Sequence, residues 1–288
     1  MRADLLEGEV RLTVLGCGDA FGSGGRYQTC FYVECASATF LIDCGASSLI
    51  AMKRFGIDPG SIDVILVTHL HGDHFGGIPF LERETQIAAS RTRPLILAGP
   101  DGFEETLSRA MEVLFPGSTK APRTFPLEFV RLGDGEGAGG GGGGGERNMV
   151  GPLIVGSFPV LHTPGTHAHA LRVEVDGRVL AYSGDTEWSD TLLEAAAGAD
   201  LFICEAYTYD RKQRNHLDYI TLASRRQELG CRRLLLTHLS DEMLARRELV
   251  ESEDVIVADD GMCVRLLPTG FVAHVPSRPF ENYRRVRR

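Results

Sequence analysis

No apolar run in this 288-residue chain approaches the roughly 20 residues that a membrane-spanning helix needs, so no membrane partner is expected. Acidic residues interrupt residues 1–9, which therefore do not read as a signal peptide, and secretion is not expected. Paired cysteines are missing as well. The seven cysteines are an odd number, form no C-x-x-C, and sit mostly in apolar runs (Cys35, Cys44, Cys204, Cys231, Cys263). That pattern suits reduced, buried thiols and a cytoplasmic setting, and it argues against a disulfide framework. Positive charge is short too: 30 Lys and Arg stand against 39 Asp and Glu, a formal net charge of −9. A bulk field of that sign does not attract a phosphate backbone, so no stable nucleic-acid complex is expected. The one basic concentration, Arg284, Arg285, Arg287 and Arg288, reads as a solvated tail.

What is present is a globular composition, 43% hydrophobic and 24% charged, in a chain long enough to bury a core without disulfides. Short β-rich runs alternate with turn signals. Strands are expected at 10–15, 29–35, 39–43, 62–67, 95–98 and 125–132, and again at 154–161, 171–175, 179–183, 201–205, 233–237 and 263–267. Helices are expected at 47–55, 104–115, 190–197, 218–229 and 241–250. Each half gives several strands followed by helices, an order that suits two sheets packed face to face with helices outside. One domain is expected over 1–267, containing a glycine-rich loop at 133–147, and a flexible tail is expected at 268–288. Seven consecutive glycines in that loop offer no side chains to bury, so it reads as a disordered surface segment. It lacks the Gly-Lys-Ser/Thr of a phosphate-cradling loop, and Gly16-x-Gly18 lacks the third glycine of a dinucleotide fingerprint.

The chemistry concentrates in Thr68-His69-Leu70-His71-Gly72-Asp73-His74, directly after a buried strand. Three histidines and a carboxylate at a strand end suit zinc and related borderline metals. Asp73 and His74 cannot easily serve the same ion as His69 and His71, so two metals are the natural reading. Further candidates close apolar strands: His162, Asp185 and His238. Any one of them alone would read as a hydrogen-bonded structural residue. Together they share one grammar, and the seven residues supply two metals with four ligands each if Asp185 bridges.

The H-x-H-x-D-H motif, followed in order by those later His, Asp and His residues, resembles the metallo-β-lactamase superfamily over about residues 10–267. Within it the chain is most similar to the ribonuclease Z-like phosphodiesterase branch. The resemblance implies an α+β fold, a four-layer αβ/βα sandwich with the site at the edge of its two sheets. It also implies one metal on His69, His71 and His162 and a second on Asp73, His74 and His238, with Asp185 bridging. Cys204-Glu205-Ala206-Tyr207 resembles the branch's His-Glu-Ala-Thr motif, and Asn215-His216-Leu217-Asp218 resembles its His-Ser-Thr motif, both partially. These matches make Glu205 and His216 candidate catalytic residues. Only 22 residues separate His162 from Asp185, too few for the tRNA-clamping arm common in that interval. His167 and His169 read as loop residues flanking the site.

The expected function is a binuclear metal-dependent hydrolase, a phosphodiesterase in which a metal-bridging hydroxide attacks phosphorus. Asp73 orients that nucleophile, and His216 protonates the leaving group or binds the phosphate. The cofactors expected are two divalent ions, zinc with manganese or iron as alternatives. The substrate is a small phosphodiester or a short RNA end, and relatives suggest a homodimer. The alternative is hydrolysis of a carboxyl derivative: a thioester, lactone or β-lactam. A non-catalytic scaffold is disfavoured because every ligand position is filled.

Overall fold

The structure, a computed structural model, describes residues 5–88, 91–133 and 145–274. In the first half the β-rich runs become β1 (Val10–Gly16), β2 (Cys30–Glu34), β3 (Thr39–Ile42), β4 (Val64–Leu66), β5 (Leu95–Gly99) and β6 (Leu127–Arg131). Next come β7 (Glu146–Val150), β8 (Leu153–Pro159), β9 (His169–Val175), β10 (Arg178–Tyr182) and β11 (Leu201–Glu205). The last strands are β12 (Leu234–Thr237), β13 (Val255–Val257), β14 (Cys263–Leu267) and β15 (Gly270–His274). They form an eight-stranded sheet, β15-β14-β1-β2-β3-β4-β5-β6, and a seven-stranded one, β13-β12-β11-β10-β9-β8-β7. β4, β11 and β12 are buried at every residue and have parallel neighbours on both sides. Covered on both faces, such strands need unbroken apolar runs, and these sequences supply them.

The helices are α1 (Ser48–Phe55), α2 (Gly72–Phe75), α3 (Ile78–Ile87), α4 (Phe103–Leu114), α5 (Thr191–Ala196), α6 (Tyr219–Ser224) and α7 (Asp241–Leu244). Three apolar clusters separate four layers. Between the sheets, Leu12, Phe31 and Phe40 pack with Val155, Val173 and Tyr182. Outside the first sheet, Met52, Leu81 and Leu107 of α1, α3 and α4 cover one face. Outside the second, Leu192 and Ala196 of α5 and Leu222 of α6 cover the other. The molecule is the αβ/βα sandwich that the sequence led us to expect.

Several boundaries differ. The helix expected over 218–229 stops at Ser224, where Arg225 takes φ −111 and pairs with Glu228 and Asp190. That expected over 241–250 breaks into α7 and a single 3-10 turn at Arg247–Leu249. The tail expected from 268 begins instead with an ordered strand. β15 pairs antiparallel with β14, its half-buried Phe271 and Ala273 packing on the core between the sheets. The glycine-rich loop likewise ends earlier than 147, because β7 starts at Glu146 and pairs with β8 through a turn at Gly151, φ 59. The expected flexible tail over 275–288 and the expected disorder over 134–144 lie outside the described residues.

Candidate metal centre

The loop after β4 supplies four candidate ligands. His69 and His71 precede α2, whose first turn carries Asp73 and His74, and the His74 N–H closes that turn on the His71 carbonyl at 2.9 Å. Asp73 and His74 stay beside the preceding pair, the His74 ring lying 4.1 Å from that of His69. The strand-end residues then divide between them. His69, His71 and His162 form one group, and Asp73, His74, Asp185 and His238 another, with the donor atoms of each within 4.8 Å of one another. In the first, His71 Nδ1 lies 3.2 Å from His69 Nε2 and 3.1 Å from His162 Nε2. In the second, His74 Nε2 lies 3.3 Å from oxygens of both Asp73 and Asp185, and His238 Nε2 lies 3.2 Å from Asp185. Asp185 also faces the first group, its Oδ2 being 4.0 Å from His69 Nε2.

The donor set fits cations. His74 Nε2 and Asp185 Oδ1 are buried and make no well-formed hydrogen bond, only ion-pair contacts at 3.3 Å within this cluster, and a cation there would satisfy both. Burial and neighbouring imidazoles hold His69 well below the ordinary histidine range, and burial lowers His162 and His238, so these rings present neutral lone pairs. His74 behaves oppositely. Burial alone would strip its proton, but the carboxylates of Asp185, Asp43 and Asp73 outweigh burial and raise it well above that range.

The roles of two supporting residues escaped the sequence reading. Asp43, fully buried at the end of β3 with φ 56, accepts from the Thr68 N–H and Oγ1, each at 2.8 Å. Its other role is to hold His74 Nδ1 at 2.7 Å, which orients the ring. Asp43 obeys the same grammar as the ligands, an apolar strand ending on an acid, and that signal could have found it. Asn215 enters the sequence reading only as the residue before His216, and nothing local signals that its carbonyl accepts from His162 Nδ1 at 2.8 Å.

The two catalytic candidates are side by side. His216 Nδ1 lies 3.0 Å from Oε2 of the fully buried Glu205, whose Oε1 accepts from the Thr186 N–H. The His216 ring stacks on His238 at 5.5 Å and crosses His162 at 5.4 Å, so it borders both metal groups. Burial would lower its pKa, but the hydrogen bond and charge of Glu205 raise it to about 9. Burial pushes the Glu205 carboxyl up to about 8, against the pull of His216. The two values describe one shared proton. We place it on the imidazole, because the Thr186 N–H favours the carboxylate form of Glu205.

Not every motif residue reaches the site. Asp218 caps α6 by accepting from the Thr221 N–H at 2.9 Å. Cys204 is buried in the core outside the second sheet. Among the described residues, neither His167 nor His169 joins a metal group.

Residues 10–258 match the family described as "Anti-Pycsar protein Apyc1". The chain belongs to that family. It is 27% identical to a ribonuclease Z of Lachnoclostridium phytofermentans, across 83% of this chain and 90% of that protein. Among solved structures it resembles the metallo-β-lactamase fold protein YhfI of Bacillus subtilis, with a TM-score of 0.71 and 21% identity over 90% of this chain and all of that one. The short form of human tRNase Z is similar as well, with a TM-score of 0.70 and 24% identity over 88% of this chain and 98% of that one. The chain is thus a ribonuclease Z-like member of the metallo-β-lactamase superfamily and a metal-dependent hydrolase, and its His and Asp groups suit a dimetal site. No described helix is long and apolar enough to cross a membrane.

Proposed function

We propose that this member is a binuclear phosphodiesterase acting on a small phosphodiester or a short RNA end. His69, His71 and His162 would hold one divalent ion and Asp73, His74 and His238 the other, with Asp185 between them. When bound, two such ions supply positive charge for phosphoryl oxygens and make a nearby water acidic enough to serve as nucleophile at neutral pH. Asp73, on the first turn of α2, orients that water. Asp43 and the Asn215 carbonyl keep two imidazoles aimed inward. His216 holds a proton at neutral pH and gives it to the departing alkoxide, while Glu205 fixes its tautomer and stabilises its charged form.

The observation that carries this reading is the His216–Glu205 pair at 3.0 Å, bordering both metal groups. Phosphodiester cleavage expels a poor alkoxide leaving group and has use for a held proton. Between His162 and Asp185 the chain is taken up by β9 and β10, which leaves no tRNA-clamping arm there and favours small substrates. Zinc as the native ion, a homodimer and a cytoplasmic setting belong to the same proposal.

An activity panel on the metal-replete protein tests it. Nitrophenyl phosphodiesters and cyclic nucleotides should turn over well above a thioester, a lactone or a β-lactam. Preferred turnover of any of those three would move the reaction from phosphorus to carbon and overturn the reading.

A further inference from the structure

Three loops of the site meet at one residue. Asn215 lies at φ 68, in the left-handed region that asparagine tolerates better than other side-chain-bearing residues. Its N–H donates to Glu187 Oε1 at 2.8 Å, and its side-chain Nδ2 donates to Thr163 Oγ1 at 3.1 Å. Its carbonyl accepts from His162 Nδ1 at 2.8 Å. The loop after β8, the loop after β10 and the segment entering α6 are tied there, and the following residue is His216.

The carbonyl bond decides the chemistry of His162. A carbonyl only accepts, so Nδ1 must carry the ring hydrogen and the lone pair is left on Nε2. Nε2 is the atom that lies 3.1 Å from His71 Nδ1. One peptide unit, 215–216, therefore fixes a metal-facing imidazole with its carbonyl and carries the proton donor on its next Cα.

We propose that Asn215 is a positioning residue, whose left-handed backbone sets the His162 tautomer and places His216 beside it. The first metal position and the acid are thereby adjusted together. The proposal rests on the metal-dependent reading of this site, but not on which bond is cleaved. Loss of a partner that orients a ligand histidine typically costs about 10–100-fold in metal affinity.

Zinc titration of the metal-free full chain by calorimetry tests it, with thermal melting to show that each variant folds. Asn215→Gly keeps φ and the carbonyl, and should bind both ions nearly as wild type does. Asn215→Val, whose β-branched side chain disfavours positive φ, should weaken one of the two ions by about 10–100-fold and leave the other unchanged. Glu187→Ala removes the acceptor of the Asn215 N–H, and should weaken the same ion in smaller degree. It decides the matter if the valine variant does not fold. Equal loss in the glycine and valine variants, equal loss of both ions, or wild-type affinity in Glu187→Ala and any folded valine variant would overturn the proposal. Metal affinity is read without substrate, so a protein found to cleave carboxyl derivatives would overturn the proposed function and leave this test standing.

Discussion

The two metal groups are built on opposite principles. The first is three imidazoles, of which only His69 is fully buried, with His71 and His162 half-open. The second has two carboxylates and two imidazoles, all four buried. A cation in the first gains little from formal charge and depends on ring orientation, supplied from other loops by a carbonyl. A cation in the second sits where burial would punish unpaired acids, and Asp73, Asp185 and the nearby Asp43 balance it. On the two-ion reading proposed above, the first position would be the more sensitive to geometry and the second to charge. Asp185, facing both, is where the two principles join.

The hardest test of that division is Asp185→Ala. It removes the carboxylate whose oxygens lie 3.2 Å from His238 and 3.3 Å from His74, and which also faces His69. Both ions should be lost and turnover should fall below detection, whereas His238→Ala should release chiefly one ion. Elemental analysis after reconstitution with excess zinc or manganese checks this. One full equivalent retained by Asp185→Ala would show that the groups are independent.

His216→Ala isolates the acid from both groups. The ring stacks beside them but is absent from either, so metal content should stay unchanged and the variant should still fold, with a lower melting temperature because the buried Glu205 carboxylate loses its partner. Turnover of an alkyl or nucleoside phosphodiester should drop about 10²–10⁴-fold, the usual contribution of a positioned proton donor. Nitrophenolate leaves without protonation, so nitrophenyl esters should lose less. Equal losses on both substrate types would assign His216 to the nucleophile instead.

The pH profile follows with a smaller effect and a definite sign. An acid works while protonated, and the Glu205 carboxylate raises His216 to about 9. Turnover should therefore hold through neutrality and fall about tenfold per unit above that value, where an unperturbed histidine would already fail above about 6.5. The limb should vanish in His216→Ala. In Glu205→Gln, which keeps a hydrogen-bond acceptor but removes the charge, it should move toward neutrality. A limb unmoved in both variants would belong to another group.

How much of this was legible follows from where the information lies. His69, His71, Asp73 and His74 are rare residue types packed into six positions, and His162, Asp185 and His238 each end an apolar strand, so local pattern was enough. Asp43 and Asn215 act through contacts spanning 31 and 53 residues, and nothing in their local sequence shows which histidine they serve. The interior strands were legible because double-sided burial demands unbroken apolar runs. β7 and β15 were not, since both are edge strands beside glycine or proline, β7 mostly polar and β15 exposed at alternate residues.

The smallest expected effect is a control on the whole comparison. The segment 134–144 joins β6 to β7, which are the outermost strands of their sheets, whereas the candidate ligands follow β4, β8, β10 and β12. Replacing 135–144 with a short Gly-Ser link should touch neither the orientation of the first group nor the charge of the second. The cost of closing a loop changes by only about 0.6 kcal/mol per doubling of its length, so stability should scarcely move. Both ions should remain and turnover should stay within a few-fold of wild type. Selective loss of the first ion would show that the segment braces the half-open histidines. Turnover lost with both ions retained would instead make it part of the substrate pocket.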